Sequence, residues 1–451
     1  MASGFARWLR GLFAPSRARA PAAPADARTA AAAGPARAAP AGAPGGAAPP
    51  AGFGQRLPLV DRKGRVAGFE LRWPPALQAR LKGAPEAGVA QAAALVAAAR
   101  LAAADGRPVL VELAAPLLEH GAVQAQAGAG VMLCWSAAPA AGAAVQALRE
   151  RGAQVGAPDG PPERLASAEP PAARPDFVVL RAATGGVETL LLSAQRWREA
   201  MPRLPLLACG LGSVDEVERL LQAGFTLAGG RFDKRGAAFA ARPLDAAAHR
   251  ICELMNHLAL DRDTAVIADA VRGDVALSYR LLRYANSPAI GLRRGVDSVE
   301  AAVALLGRNE LQRWLAVLLL GAADARPAAA ALQEHALARG RLFEALARRR
   351  SESRPAALFT LGVMSQLDLL LRVPMAAALE PLRLPDVARE ALLERRGAWA
   401  PYLALAEELE GDDQAALDAA AAPFGGGDVA MAEAQQAWGW AAELLKADAR
   451  R

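Results

Sequence analysis

Between residues 53 and about 240, short apolar runs alternate with stretches whose apolar side chains recur at helical spacing. The runs at 56–60, 65–73, 108–113, 131–135, 176–181, 204–209 and 225–228 read as strands. The stretches 86–104, 140–151 and 214–223 read as helices between some of them. Strand–helix alternation predicts an α/β domain, either an open sheet or a barrel. One helix start is well marked: Ser213, with Glu216 three residues on, forms a capping box.

After Leu244 the strand pattern stops and helices follow one another. Asp263 is placed to cap a helix over 264–271. Asp297 with Glu300 opens another, which Gly307 closes. Residues 310–320 are apolar on several faces, as in a buried central helix. Arg354–Pro355 begins a helix over 356–371, and Arg372–Val373–Pro374 ends it. The expected whole is multidomain, α/β followed by all-α.

Composition changes the picture mainly at the start of the chain. Residues 14–52 are rich in Ala, Pro and Gly with almost no large apolar side chains, so they cannot bury enough surface to order. Ahead of this tether, Phe5, Trp8, Leu9, Leu12 and Phe13 share one helical face, with Arg7 and Arg10 off it. One reading is a peripheral membrane or partner anchor over residues 5–13. The other is a frayed leader with no role. The arginines interrupt the apolar stretch, which argues against a secretory signal. The partition expected is therefore 1–52 as leader and tether, 53–242 as the α/β domain and 243–451 as the helical domain.

The formal net charge of +6 suggests a nucleic-acid partner until its distribution is considered. Residues 1–52 hold six arginines against Asp26 alone, a net of five, which leaves one positive charge for all the rest. A near-neutral body shows no footprint for phosphate backbones, and no nucleic acid is expected. Cys134, Cys209 and Cys252 form no CxxC pair, and the four histidines have no metal-ligand spacing. That usage suits a reducing cytoplasm, with peripheral membrane contact through the leader as the variant. Cys134 and Cys209 are better read as apolar fillers than as ligands. Gly210–Leu211–Gly212–Ser213 reads as a capped turn rather than a phosphate cradle.

The run Asp274–Val275–Ala276–Leu277–Ser278–Tyr279–Arg280–Leu281–Leu282–Arg283–Tyr284–Ala285–Asn286–Ser287, followed by Gly291, resembles the HDOD domain of bacterial signalling proteins. The resemblance covers most of residues 245–420. It carries an HDOD signature of Leu277, Ser278, Tyr279, Leu281, Asn286, Ser287 and Gly291. Related HD enzymes hold metal on an adjacent His and Asp. Here Ser365–Gln366 stands where that doublet would fall. This implies a regulatory rather than a hydrolytic role.

The first half resembles an EAL domain, a TIM-like barrel that hydrolyses cyclic di-GMP. The matches are Arg56–Leu57–Pro58–Leu59–Val60, then Gly68–Phe69–Glu70–Leu71 at the signature tripeptide. Leu206–Leu207–Ala208–Cys209–Gly210 and the stretch from Ala223 to Phe232 follow in the family's order. Together the two halves look like the EAL-HDOD two-domain family, with a degenerate and shortened barrel of about 190 residues where a full one has about 250.

The resemblance also implies lost chemistry. A two-metal phosphodiesterase needs carboxylates and a lysine converging at strand ends around two cations about 3.5–4 Å apart. Glu70 is a relic of that set. The asparagine position falls at Glu112, the next glutamate at Cys134 and the paired aspartates at Gly156–Ala157–Pro158–Asp159–Gly160. The lysine falls at Val179, the late glutamate at Cys209 and the terminal glutamine at Gly229. The expectation is a chain with no catalytic residue, metal or cofactor, acting on unidentified signalling proteins. Two rivals are a cyclic-di-GMP sensor without hydrolysis and a weakly active phosphodiesterase; the same losses count against both. Arg293 and Arg294, in the loop after Gly291, are the candidate partner patch.

Overall fold

The computed structural model describes residues 55–73, 85–136, 139–166, 174–182, 186–231, 246–286, 295–321, 328–411 and 413–449. The leader and tether, together with Ser287, Gly291, Arg293 and Arg294, lie outside them.

Eight strands close into a barrel: β1 (Gln55–Asp61), β2 (Val66–Arg72), β3 (Val109–Ala114), β4 (Val131–Ser136), β5 (Gln154–Pro158), β6 (Val178–Arg181), β7 (Leu206–Leu211) and β8 (Leu227–Gly230). They pair in chain order, and β8 returns to β1. From β2 onward neighbouring strands run parallel, whereas β1 is antiparallel to both its neighbours. The cause is the turn between β1 and β2. Asp61 Oδ1 accepts from the backbone N–H groups of Lys63 at 2.8 Å and Arg65 at 3.0 Å, and Gly64 takes φ 70°. So short a connection can only reverse the chain, since a parallel crossover needs a dozen or more residues.

One strand is absent from the apolar pattern. The stretch Gly156–Gly160, where the resemblance places the paired aspartates, is not among the strands read from the sequence, yet β5 runs through its first three residues. Its inward position is Gly156 because the Phe177 ring occupies that space. A Cβ at 156 would lie 2.2 Å from the ring. With Phe177, the side chains Leu59, Leu110, Met132, Val179, Leu207 and Leu227 fill the barrel interior. A second, larger apolar core lies outside the strands and continues into the helical half.

In that half, Val299–Gly321 is the buried spine, interrupted at Gly307, which has φ 67° and ψ 171°. Its first turn is capped by Ser298, whose Oγ accepts from Ala301 N at 3.1 Å, and not by Asp297. Asp263 precedes Thr264–Arg272 but makes no side-chain cap. Asp274 does cap Val275–Ala285, accepting from Leu277 N at 3.0 Å. The stretch 356–371 is two helices, Pro355–Met364 and Leu367–Leu371, broken at Ser365–Gln366 and closed by Arg372 in the left-handed region.

The two halves share an interface. Phe69 on β2 meets Trp438 edge-on at 5.2 Å, and Arg107 forms a buried ion pair with Glu334. Glu218 caps the start of Ala329–Arg349 by accepting from Ala328 N at 2.9 Å, and Ala331 N donates to Gly64 O at 2.9 Å. Among the described residues no helix is long and apolar enough to cross a membrane.

Candidate functional site at the barrel mouth

The inward positions at the C-terminal strand ends are Glu70 on β2, Glu112 on β3, Cys134 on β4, Arg181 on β6 and Cys209 on β7. Strand register places them at one level: Glu112 pairs with Cys134, and Arg181 with Cys209. Arg181 dominates the group. Its Nη2 lies 2.7 Å from Glu70 Oε1, while its Nε and Nη2 lie 2.7 Å and 2.5 Å from Glu112 Oε2. Arg72 Nε approaches Glu70 Oε1 at 3.5 Å. Glu70 is buried, at 1% exposure.

The electrostatics follow from burial and these contacts. Burial alone favours neutral Arg181, but the Glu70 carboxylate, assisted by Glu112, outweighs it and holds the guanidinium charged. Burial pushes both thiols well above their usual range, with Glu112 adding to the effect at Cys134 and Glu70 at Cys209. They are therefore protonated thiols near neutral pH and poor metal ligands.

The remaining sequence-singled positions do not join the cluster as ligands. Val179 is buried in the apolar interior. Asp159 lies beyond β5, where Oδ1 accepts from Trp197 Nε1 at 2.9 Å and from Gly160 N at 2.9 Å. At Gly229 a Cβ would lie 2.2 Å from the Pro58 carbonyl oxygen, so no glutamine fits. A two-metal centre needs several carboxylates free to share cations. Here two carboxylates share a guanidinium instead. Among the described residues no set of three His, Cys, Asp or Glu side chains is arranged for a metal. The donor set does not fit the implied group.

In the helical half, Ser365 and Gln366 lie at the break between Pro355–Met364 and Leu367–Leu371. Ser365 Oγ donates to Gly362 O at 2.7 Å, and Arg339 Nη1 lies 3.4 Å from that Oγ. Arg339 Nη2 and His335 Nε2 each lie 2.8 Å from Glu410 Oε1. Burial would raise the Glu410 carboxyl, but Arg339 and then His335 reverse this and hold it at about 2. Arg181, His335, Arg339 and Glu410 belong to no motif in the sequence. Their visible signal is an arginine at the end of a predicted strand, two charged residues inside a helix and a glutamate at the end of another.

The signature helix Val275–Ala285 buries Leu277, Leu281 and Tyr284, leaves Leu282 half-buried and exposes Tyr279. Ser278 Oγ donates to Val271 O at 2.9 Å, tying this helix to the preceding one. Asn286 is tied to Val296. Its Nδ2 donates to Val296 O and its Oδ1 accepts from Val296 N, both at 2.6 Å. Residues 243–390 match the HDOD domain family. The chain carries an HDOD domain.

The HDOD-bearing chain is also similar to individual proteins. The uncharacterized protein YuxH of Bacillus subtilis is 27% identical over 201 residues, 44% of this chain and 49% of that protein. The cyclic di-GMP phosphodiesterase CdgJ of Vibrio cholerae is 25% identical over 201 residues, 44% of this chain and 46% of that protein. The chain thus spans about half the length of these curated relatives. Among solved structures, the PaMucR phosphodiesterase in complex with c-di-GMP shares 17% identity at a TM-score of 0.33, over 41% of this chain and 95% of that one. An EAL domain protein from Listeria monocytogenes shares 12% at a TM-score of 0.31, over 41% of this chain and 87% of that one.

Proposed function

We propose that the chain is a non-catalytic regulator in cyclic-di-GMP signalling that works through protein contacts. The observation that carries this reading is Arg181 bridging Glu70 and Glu112 at the barrel mouth. A phosphodiesterase would need cations there to activate water and neutralise the phosphodiester. A guanidinium supplies charge but generates no hydroxide nucleophile. Its charge is also already met by two carboxylates. The HDOD domain, with Ser365–Gln366 in place of a metal-binding doublet, supports the same role. The exposed face of Val275–Ala285 around Tyr279, together with Arg293 and Arg294, is the proposed contact region.

Equilibrium binding of cyclic di-GMP to the full chain, with magnesium or manganese present, separates this reading from its rival. The expected result is no saturable binding that depends on Glu70. Saturable binding lost in Glu70→Ala would reassign the chain as a nucleotide sensor.

A further inference from the structure

The signature helix Val275–Ala285 turns Leu277, Leu281 and Tyr284 into the core and leaves a second apolar stripe outside. Val275 is 83% exposed, and Tyr279, one turn on, is 54% exposed. Half-buried Leu282 continues the stripe after a further turn. Single exposed apolar side chains are ordinary on a protein surface. Among the described residues, however, this is the one helix with two large ones, and Val275 is the most exposed of all.

Arg283 stands beside that stripe, one turn beyond Tyr279, with its guanidinium carbon 5.5 Å from the centre of the Tyr279 ring. Stacking of this kind engages the face of the guanidinium and leaves its in-plane N–H groups for other acceptors. Nε and Nη2 form an edge that can grip a carboxylate with two parallel hydrogen bonds. Neither atom has a hydrogen-bond partner, and neither is accessible to solvent. No carboxylate among the described residues pairs with Arg283. Asp274 caps Leu277 N and lies 3.7 Å from Arg250, and Asp269 and Glu300 both pair with Arg272, so these acids are committed to other groups. A half-buried charge left in this state is costly. The flexible arginine stem lets the guanidinium lift toward a carboxylate brought from outside.

We propose that this stripe docks an acidic peptide segment of a partner protein. A leucine or phenylalanine of the peptide covers Val275 and Tyr279, and a neighbouring carboxylate meets Nε and Nη2 of Arg283. An apolar contact beside a bidentate charged one requires both features in the same short segment. The proposal rests on the reading that the chain works through protein contacts, and it names the chemistry of the partner. Turnover of cyclic di-GMP decides that reading and peptide capture decides this one, so the two fail separately.

The test pans a displayed library of random dodecapeptides against the full chain. A synthetic copy of the peptide recovered most often is then titrated by fluorescence anisotropy. The recovered peptides are expected to carry Asp or Glu close to Leu or Phe. Arg283→Gln should weaken binding about tenfold or more, and replacing the peptide's acid by its amide should weaken it by a similar factor. The two changes together should cost no more than either alone, because they remove one contact. Arg283→Lys should recover part of the loss, since it keeps the charge but not the fork. Val275 lies at the exposed start of the helix, so Val275→Lys and Val275→Glu both leave the fold intact. The peptide should bind the lysine variant at least about fivefold more tightly than the glutamate variant. No recovered peptide, peptides without acidic residues, binding unchanged in Arg283→Gln, or equal binding to the two Val275 variants would overturn the proposal. Self-association of the parent that is lost in Arg283→Gln would give the stripe to a second copy of this chain and also overturn it.

Discussion

Glu70 and Arg181 stand on β2 and β6, on opposite sides of the barrel, and their side chains meet at 2.7 Å across its mouth. Glu70 is buried and Arg181 is its nearest cation. Removing one partner of a buried pair strands the other's charge, which costs about 3 kcal/mol or more. Arg181→Met should therefore lower stability in urea unfolding by about that amount. The double variant Glu70→Gln/Arg181→Met should cost less than the two singles together, since neither charge is then stranded. Additive losses would show that the pair does not couple.

β5 offers a separate check on the barrel. Gly156→Ala places a methyl against the Phe177 ring, and overpacking of this kind costs about 1–3 kcal/mol. Phe177→Leu in the same chain should recover part of that loss. Thermal unfolding of the single and double variants reads it directly. A neutral Gly156→Ala would place the ring elsewhere.

Strand β5 also shows where sequence reading stops. Val155 and Ala157 are apolar, but Gly156 and Pro158 are poor strand formers, and the stretch carries no alternation. Only the Phe177 ring, from a distant part of the chain, explains the glycine. The other strands were legible because their Val- and Leu-rich runs end at turn residues. At the site the strand-end residue types were legible, including Glu70 and Cys134. The bridge was not, because Arg181 acts through partners 111 and 69 positions away in sequence. The His335–Arg339–Glu410 cluster was hidden for the same reason, with some 71 positions between Arg339 and Glu410.

Glu410 should impose an acid limb on stability. Its carboxyl sits at about 2 in the folded chain against 4.5 ordinarily. A depressed carboxyl contributes stability that is fully present above the ordinary value and is lost as pH falls toward the folded one. Between about pH 4.5 and 2 the parent should lose stability more steeply than Glu410→Gln, and the two curves should converge at the acid end. Urea midpoints across this range give the comparison. Parallel curves would separate Glu410 from the acid limb.

The HDOD signature helix should divide by face. Leu281 is fully buried, and Leu281→Ala should cost about 2–5 kcal/mol. Val275→Ala, at a position 83% exposed on the same helix, should change stability by no more than about 0.5 kcal/mol. Tyr279→Ala should be similarly mild for folding while weakening capture of any partner bound by the parent. Partner capture undiminished by Tyr279→Ala and by Arg293→Ala/Arg294→Ala together would move the contact region elsewhere.

A barrel mouth held by Arg181 is expected to show no turnover of cyclic di-GMP. The direct measurement incubates the full chain with cyclic di-GMP and either magnesium or manganese and quantifies the linear dinucleotide formed. No product above the protein-free control is expected with either cation. Hydrolysis that disappears in Glu70→Ala would show that the barrel mouth is catalytic.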